Sequence, residues 1–170
     1  MVKVTIGIDP GVKGGIAIFR DGELFNAITM PSHKNPDKKF KVKNLISYDE
    51  IVGVLMGHGV GSVKKVFIEK AFMPTGQAGA SYMQNYGMIL GICIGLGLLF
   101  VEISPKEWQA SQLDIKDCFK TRKDGTPIRD KAVSVRTVNK LYPELTLKNN
   151  QDGIADAILI ARHGINILHE

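Results

Sequence analysis

Cysteine is scarce in this sequence. The 170 residues contain two cysteines, Cys93 and Cys118, and neither belongs to a Cys-x-x-Cys pair or to a histidine-containing zinc spacing. This argues against a disulfide framework and against structural zinc, and it fits a reducing cytoplasm.

Long apolar runs are also absent. The longest, Met88 to Val101, is interrupted by three glycines and is shorter than the roughly 20 apolar residues that a bilayer requires. We interpret it as part of the core of a soluble protein, in which Gly87, Gly91 and Gly95 let a helix lie close to a sheet. No signal peptide is visible before the first strand, so we expect a cytoplasmic protein without a membrane partner.

What the chain does contain is enough apolar and basic material for one globular domain. Hydrophobic residues make up 44% of the sequence and charged residues 23%, which predicts a single domain over residues 1–170 with a real core. The net charge is +5. This excess of positive charge favours a polyanionic partner such as nucleic acid.

Strand and helix patterns alternate along the chain and predict an α/β fold. The first three strands form an antiparallel meander, and the segments Pro31–Asn44 and Lys116–Arg129 are polar, lysine-containing loops. The predicted strands are Val2–Ile8, Gly15–Phe19, Leu24–Met30, Lys65–Glu69 and Leu98–Ile103, and the longer helices are Tyr48–Met56, Gln77–Leu96, Asp130–Leu141 and one that begins at Asp152.

A short helix follows the last predicted strand. Ser104, Pro105 and Glu107 form the pattern of a capping box with proline in the first turn. Trp108, the only tryptophan, is expected to anchor this helix in the core rather than to stack on a base. His163 is expected in the last turn of the final helix, where the helix dipole favours it.

Four acidic residues occupy positions where solvent-facing charge is not expected. Asp9 and Glu69 each end an apolar strand, and Asp152 and Asp156 are four residues apart, hence on one face of a helix. Each has a structural alternative: Asp9 could cap a turn, Glu69 could pair with a neighbouring lysine, and Asp152 could be a helix N-cap.

Taken together, the four carboxylates indicate a metal site. Like charges that converge in one place repel one another unless cations neutralise them, and hard oxygen ligands select Mg²⁺ or Mn²⁺. Two such ions about 3.5–4 Å apart can activate water and stabilise the leaving oxygen of a phosphodiester.

Four segments, "IGIDPGVKGGIAIF", "FIEKAFMPTGQ", "SPKEWQ" and "DGIADAILIARHG", occur in this order over residues 6–164 and resemble the RuvC-like Holliday junction resolvases, particularly the phage-type members. The resemblance implies a ribonuclease H-like fold with a mixed central sheet flanked by helices. It identifies Asp9, Glu69, Asp152 and Asp156 as the catalytic acids, which would bind two Mg²⁺ ions, or Mn²⁺, without a small-molecule cofactor. It further implies a homodimer that resolves four-way or branched DNA by paired symmetric nicks.

The resemblance extends to DNA-contacting positions. Phe72 matches an aromatic near the junction centre, although plain core is a nearly equal alternative, and Lys131 matches a family lysine. A position that is often basic in similar proteins is Gln109 here, which leaves Lys106 or Lys116 as replacements. The acidic pair is spaced i, i+4, whereas the bacterial enzymes tend to have i, i+3.

Two other functions remain open from the sequence. An actin-like or sugar-kinase ATP-binding phosphotransferase also begins with a strand, an aspartate and glycines. Such proteins need two related domains, and the 170 residues show neither a second Asp-x-Gly strand nor an obvious adenosine site. A catalytically silent binder of branched DNA would leave four retained acids unexplained. For the dimer, the helix Gln77–Leu96 is the expected interface, with an intrachain core as the competing interpretation.

Overall fold

A computed structural model describes residues 2–37, 44–57, 63–71, 77–130 and 132–169 of the chain. Nine strands and five α-helices lie within these ranges, together with a 3-10 turn at Ile115–Cys118. The strands are β1 (Val4–Asp9), β2 (Gly15–Arg20), β3 (Glu23–Thr29), β4 (Ser32–Lys34), β5 (Asn44–Ile46), β6 (Val63–Glu69), β7 (Phe100–Ile103), β8 (Phe119–Thr121) and β9 (Pro127–Arg129). The helices are α1 (Tyr48–Met56), α2 (Gln77–Gly95), α3 (Pro105–Gln112), α4 (Val133–Leu141) and α5 (Asp152–His169).

The central sheet is mixed and has the strand order β3-β2-β1-β6-β7. β1, β2 and β3 form the predicted antiparallel meander, whereas β1, β6 and β7 are parallel. Ile8 lies opposite Ile68 in the parallel pair, so the next residues, Asp9 and Glu69, end neighbouring strands at the same edge. The predicted α/β fold with a mixed sheet is confirmed.

Helices cover both faces of this sheet because its strands alternate apolar side chains between two cores. Ile6, Ile8 and their neighbours on β2 and β6 pack with α1 and α2. On the opposite face, Phe19 and Phe67 pack with α3, α4 and α5. Both layers are therefore built from strand residues of one continuous sheet.

Helix α5 lies directly on the backbone of β1. A Cβ atom on Gly7 would clash with the backbone oxygen of Ala157 and would lie 2.6 Å from the backbone nitrogen of Ala161. Near the start of β2, a Cβ on Gly153 of α5 would lie 2.5 Å from the Cα of Gly14. This close approach fixes the start of α5, and with it Asp152 and Asp156, next to the end of β1.

The interpretation of the longest apolar run was only partly correct. Within the described residues, no atom lies within 4 Å of a Cβ built on Gly87, Gly91 or Gly95, so these glycines do not bring α2 close to the sheet. Cys93 is buried, but Ile94 is 67% exposed, so the run is core on one face alone. No helix in the described ranges is long and apolar enough to cross a membrane.

Both predicted loops contain short strands. Within 31–44 and just beyond it, β4 and β5 pair antiparallel, and buried Ile46 anchors β5 in the core. Within 116–129, β8 and β9 form a hairpin whose turn includes Gly125 at φ +85°. The Asp124-Gly125 pair is a common hairpin signal, but three-residue strands are too short to show a period. The lysine-rich segment 38–43 lies outside the described residues.

Helix α4 begins at Val133 rather than at Asp130. The Oδ1 atom of Asp130 accepts a hydrogen bond of 3.1 Å from the backbone N–H of Ala132, so this aspartate precedes the helix and satisfies one of its free donors.

Candidate active site

Asp9 is the last residue of β1 and is held by the loop that follows it. Its Oδ1 atom accepts a hydrogen bond of 3.1 Å from the N–H of Gly11, so Asp9 also caps the turn, which was the structural alternative for this residue. Burial raises the pKa of Asp9 to about 6; the Gly11 bond opposes this shift, and repulsion from Asp152 adds to it. The carboxylate is therefore close to a second negative charge.

Glu69 ends the neighbouring strand and is oriented by the core. The indole N–H of Trp108 donates a hydrogen bond of 3.1 Å to Oε1 of Glu69. Trp108 is fully buried, as predicted for an anchor of α3. The predicted capping box is also present, since Ser104 and Glu107 exchange hydrogen bonds at the start of this helix. The helix start thus fixes the indole that orients Glu69.

Asp152 and Asp156 lie in the first two turns of α5. Both line a cleft of about 290 Å³ together with Glu69, as their spacing on one helix face predicted. The Oδ1 atom of Asp156 is buried. Three of the four predicted acids therefore line one cleft. The fourth, Asp9, lies close enough to one of them, Asp152, for their charges to repel.

The opposite wall comes from α3 and from the start of α4. Pro105, Gln109, Val133 and Ser134 line it, together with Asp130. Asp130 forms ion pairs with Arg136 (2.7 Å) and Lys120 (3.3 Å). The hydrogen bond from Arg136 is the main reason why the pKa of Asp130 falls to about 2, and the N–H of Ala132 lowers it further. The sequence predicts only a helix start at Asp130 and gives no sign that its carboxylate lines the cleft in two ion pairs.

Tyr82 on α2 is a second residue that the sequence did not single out. Its pKa lies well above the usual tyrosine value, first because the phenol is buried and then because Glu69 and Asp9 are nearby. A neutral phenol therefore lies beside the acids. No motif marks it, because the proximity depends on how α2 packs on the sheet.

The donor set fits a hard divalent cation, because all four residues offer carboxylate oxygens and two of them already repel one another. In the described ranges, however, no group of three or more His, Cys, Asp or Glu side chains is arranged to hold a metal ion. The fold thus brings the acids to one edge of the sheet, but their carboxylates do not converge closely enough to coordinate one ion.

The predicted DNA-contacting residues are placed only in part. Lys106 on α3 and Lys116 in the 3-10 turn are exposed, and Gln109 is half-buried in the cleft wall. Phe72 and Lys131 lie outside the described residues.

The prediction for His163 was wrong. Helix α5 continues to His169, so His163 is not in its last turn. Its Nδ1 atom lies 2.7 Å from the hydroxyl oxygen of Ser111, and this contact joins α5 to α3.

Two solved structures have a fold similar to that of this chain. RuvC of Thermus thermophilus in complex with a Holliday junction substrate matches with 14% identity and a TM-score of 0.58, covering 98% of this chain and 95% of that chain. A second RuvC structure from Thermus thermophilus matches over the same shares with 17% identity and a TM-score of 0.58. No protein-family model and no curated protein matches the sequence. The chain therefore has the fold of RuvC, as the resemblance of its motifs implied.

Proposed function

We propose that this protein is a metal-dependent endodeoxyribonuclease that cuts branched DNA, with the four-way junction as its main substrate. The observation that supports this most directly is the shared cleft of Glu69, Asp152 and Asp156, with Asp9 beside it. The cleft occurs in a fold that matches RuvC bound to a Holliday junction substrate. The net charge of +5 suits a polyanionic substrate.

Asp9, Glu69, Asp152 and Asp156 would hold two Mg²⁺ ions, or Mn²⁺, in this cleft. When bound, such ions supply an activated water and stabilise the leaving oxygen of a phosphodiester. The chain's own groups keep two of the carboxylates oriented: the N–H of Gly11 binds Asp9, and the indole of Trp108 binds Glu69. The proposed hydrolysis requires water and the metal, and no organic cofactor.

We further propose that residues 1–170 act as one nuclease domain, and that two copies form a homodimer that makes paired nicks. A four-way junction must be cut in two equivalent strands, and a two-fold dimer supplies two identical sites. The exposed apolar face of α2, with Met88 and Ile94, supports an interface there. Both Cys93 and Cys118 are free thiols, which suits a cytoplasmic location.

A cleavage assay tests the proposal. Labelled four-way junction, duplex, flap and single strand are incubated with the protein in Mg²⁺, in Ca²⁺ and in EDTA. We expect cleavage of the junction in Mg²⁺ alone, and binding without turnover in Ca²⁺. Asp156→Asn should abolish cleavage and keep junction binding, since it removes charge from the cleft and leaves the basic surface intact.

The matched control is Asp49→Asn, which removes an exposed carboxylate from α1 and should cut normally. Near-normal cleavage by Asp156→Asn would contradict the role of the cleft. ATP hydrolysis without DNA would favour a phosphotransferase instead.

A further inference from the structure

A second concavity adjoins the cleft, and the proposed hydrolysis does not use it. Its volume of about 570 Å³ is within the roughly 300–1,000 Å³ that is typical of pockets for small organic groups. Leu113, which is 8% exposed, belongs to its lining and to the core. One wall is a face of α3 and the other is the turn before β8: the lining residues are Lys106, Gln109, Ala110, Leu113, Asp114, Cys118 and Phe119.

An aromatic ring stands at the rim of this pocket. Phe119 is the first residue of β8 and is 58% exposed. All three residues of β8 are exposed, so its hairpin with β9 does not bury the ring in the core. A single exposed apolar side chain is ordinary, but this ring is continuous with a pocket that Ala110 and Leu113 also line, so the ring and the pocket form one apolar contact surface.

Basic residues lie on both sides of this ring and outnumber the nearby acids, Asp114 and Asp117. Lys106 lies on the opposite wall of the pocket, and the segment that carries Phe119 presents further exposed cations. These are Lys116, Lys120, Arg122 and Lys123. An exposed aromatic among cations is the arrangement by which proteins bind unpaired nucleotides, because the ring stacks on a base while the cations contact phosphates.

Gln109 connects the two concavities. It lines both the acidic cleft and this pocket, so the pocket begins where the cleft ends. A DNA strand with a phosphate at the acids would therefore pass Gln109 before it reaches Phe119. The amide of Gln109 offers two donor hydrogens and an acceptor oxygen to the edge of a base.

We propose that this pocket binds one unpaired nucleobase of the cleaved strand, stacked on Phe119 and with its edge beside Gln109. The inference rests on the proposed function. Bases near a branch point are unstacked at lower cost than bases within a duplex, so a site that requires an unpaired base selects branched DNA. The pocket thus supplies a physical reason for structure selectivity that the acidic cleft alone does not.

The test pairs protein variants with modified junctions. Binding of the full chain is measured in Ca²⁺ for an intact four-way junction and for junctions with one abasic site at each position around the cut. For the wild type, one abasic position should weaken binding by roughly 5- to 150-fold, the effect of losing one stacked base. Phe119→Ala should bind the intact junction as weakly as the wild type binds the sensitive abasic junction, and the abasic site should not weaken its binding further. Phe119→Trp should bind the intact junction as tightly as the wild type and should lose affinity at the same abasic position.

Phe25→Ala is the matched control, because Phe25 is 51% exposed on β3, at the edge of the sheet opposite to β7. It should behave as the wild type in every junction. Equal loss by Phe119→Ala on intact and abasic junctions would overturn the proposal, and so would a change of oligomeric state in this variant, which would make the pocket a protein interface.

The outcomes separate the two levels of the proposal. A wild type that binds and cuts junctions but shows no abasic position of weaker binding refutes the base pocket and leaves the nuclease standing. A wild type that binds no branched DNA refutes the proposed function and the pocket together.

Discussion

The carboxylate of Asp9 is buried and lies near the negative charge of Asp152. When no cation is present, its ionised form therefore lowers the free energy of unfolding. Its pKa rises from 3.8 to about 6 on folding. An acid whose pKa is raised on folding is neutral in both states below pH 3.8, and it destabilises the fold progressively as pH rises towards 6. Since one pKa unit corresponds to about 1.4 kcal/mol, the cost above pH 6 is on the order of 1–3 kcal/mol.

Asp9→Asn should therefore raise the free energy of unfolding in EDTA at pH 7.5 by about 1–3 kcal/mol, and this gain should vanish near pH 4. The amide keeps an oxygen to accept the Gly11 N–H. Denaturant unfolding at both pH values measures the effect, with exposed Glu144→Gln as the control. Mg²⁺ should stabilise the wild type and not Asp9→Asn. An unchanged or lower stability of Asp9→Asn at pH 7.5 would contradict the inferred burial of charge.

The acids themselves could be predicted from the sequence because each breaks a local pattern, either at the end of an apolar strand or on an otherwise apolar helix face. The residues that contact or surround these acids could not be predicted. The indole of Trp108 reaches Glu69 across 39 positions of sequence, and Tyr82 approaches the acids only through the packing of α2. Phe72 and Lys131 stay predictions.

The contact between α5 and β1 determines where the four acids meet. Gly7 is the point at which helix and strand backbones touch, so an added methyl group has no space without a shift of α5. Asp152 and Asp156 would move with the helix. The sequence predicts β1 from its apolar run and α5 from the i, i+4 spacing of its acids. It does not predict the three-residue strands β4, β5, β8 and β9, because they are too short to show a repeating apolar pattern and form only by pairing with a partner strand.

Gly7→Ala should lower the free energy of unfolding by about 1–3 kcal/mol, the usual cost of overpacking, and should reduce cleavage because the acids are displaced. Gly53→Ala is the matched control: Gly53 is exposed within α1, and no described atom lies within 4 Å of its added Cβ. This variant should gain about 0.5–1 kcal/mol from helix propensity and keep its activity. Equal effects of the two substitutions in unfolding measurements would contradict the tight α5 contact.

The proposed paired nicks depend on how many clefts one assembly brings to a junction. Helix α2 turns Tyr86, Ile89 and Cys93 into the core and leaves Met88 and Ile94 exposed. Exposed apolar residues on one helix face are typical of an interface between subunits. A two-fold pairing through this face would bring two identical clefts to the two strands that must be cut.

Sedimentation should therefore give twice the chain mass of 18.6 kDa at micromolar concentration, and a supercoiled cruciform plasmid should yield linear product with little nicked circle. Ile94→Lys should sediment as a monomer and accumulate nicked circle, because it buries a charge in the interface while each cleft remains intact. Leu141→Lys is the control, since Leu141 is also exposed but lies on α4, on the opposite face of the sheet. A wild type that is monomeric and still gives linear product in one binding event would exclude paired incision by a dimer, and the proposed nuclease would then cut the two strands from a single site.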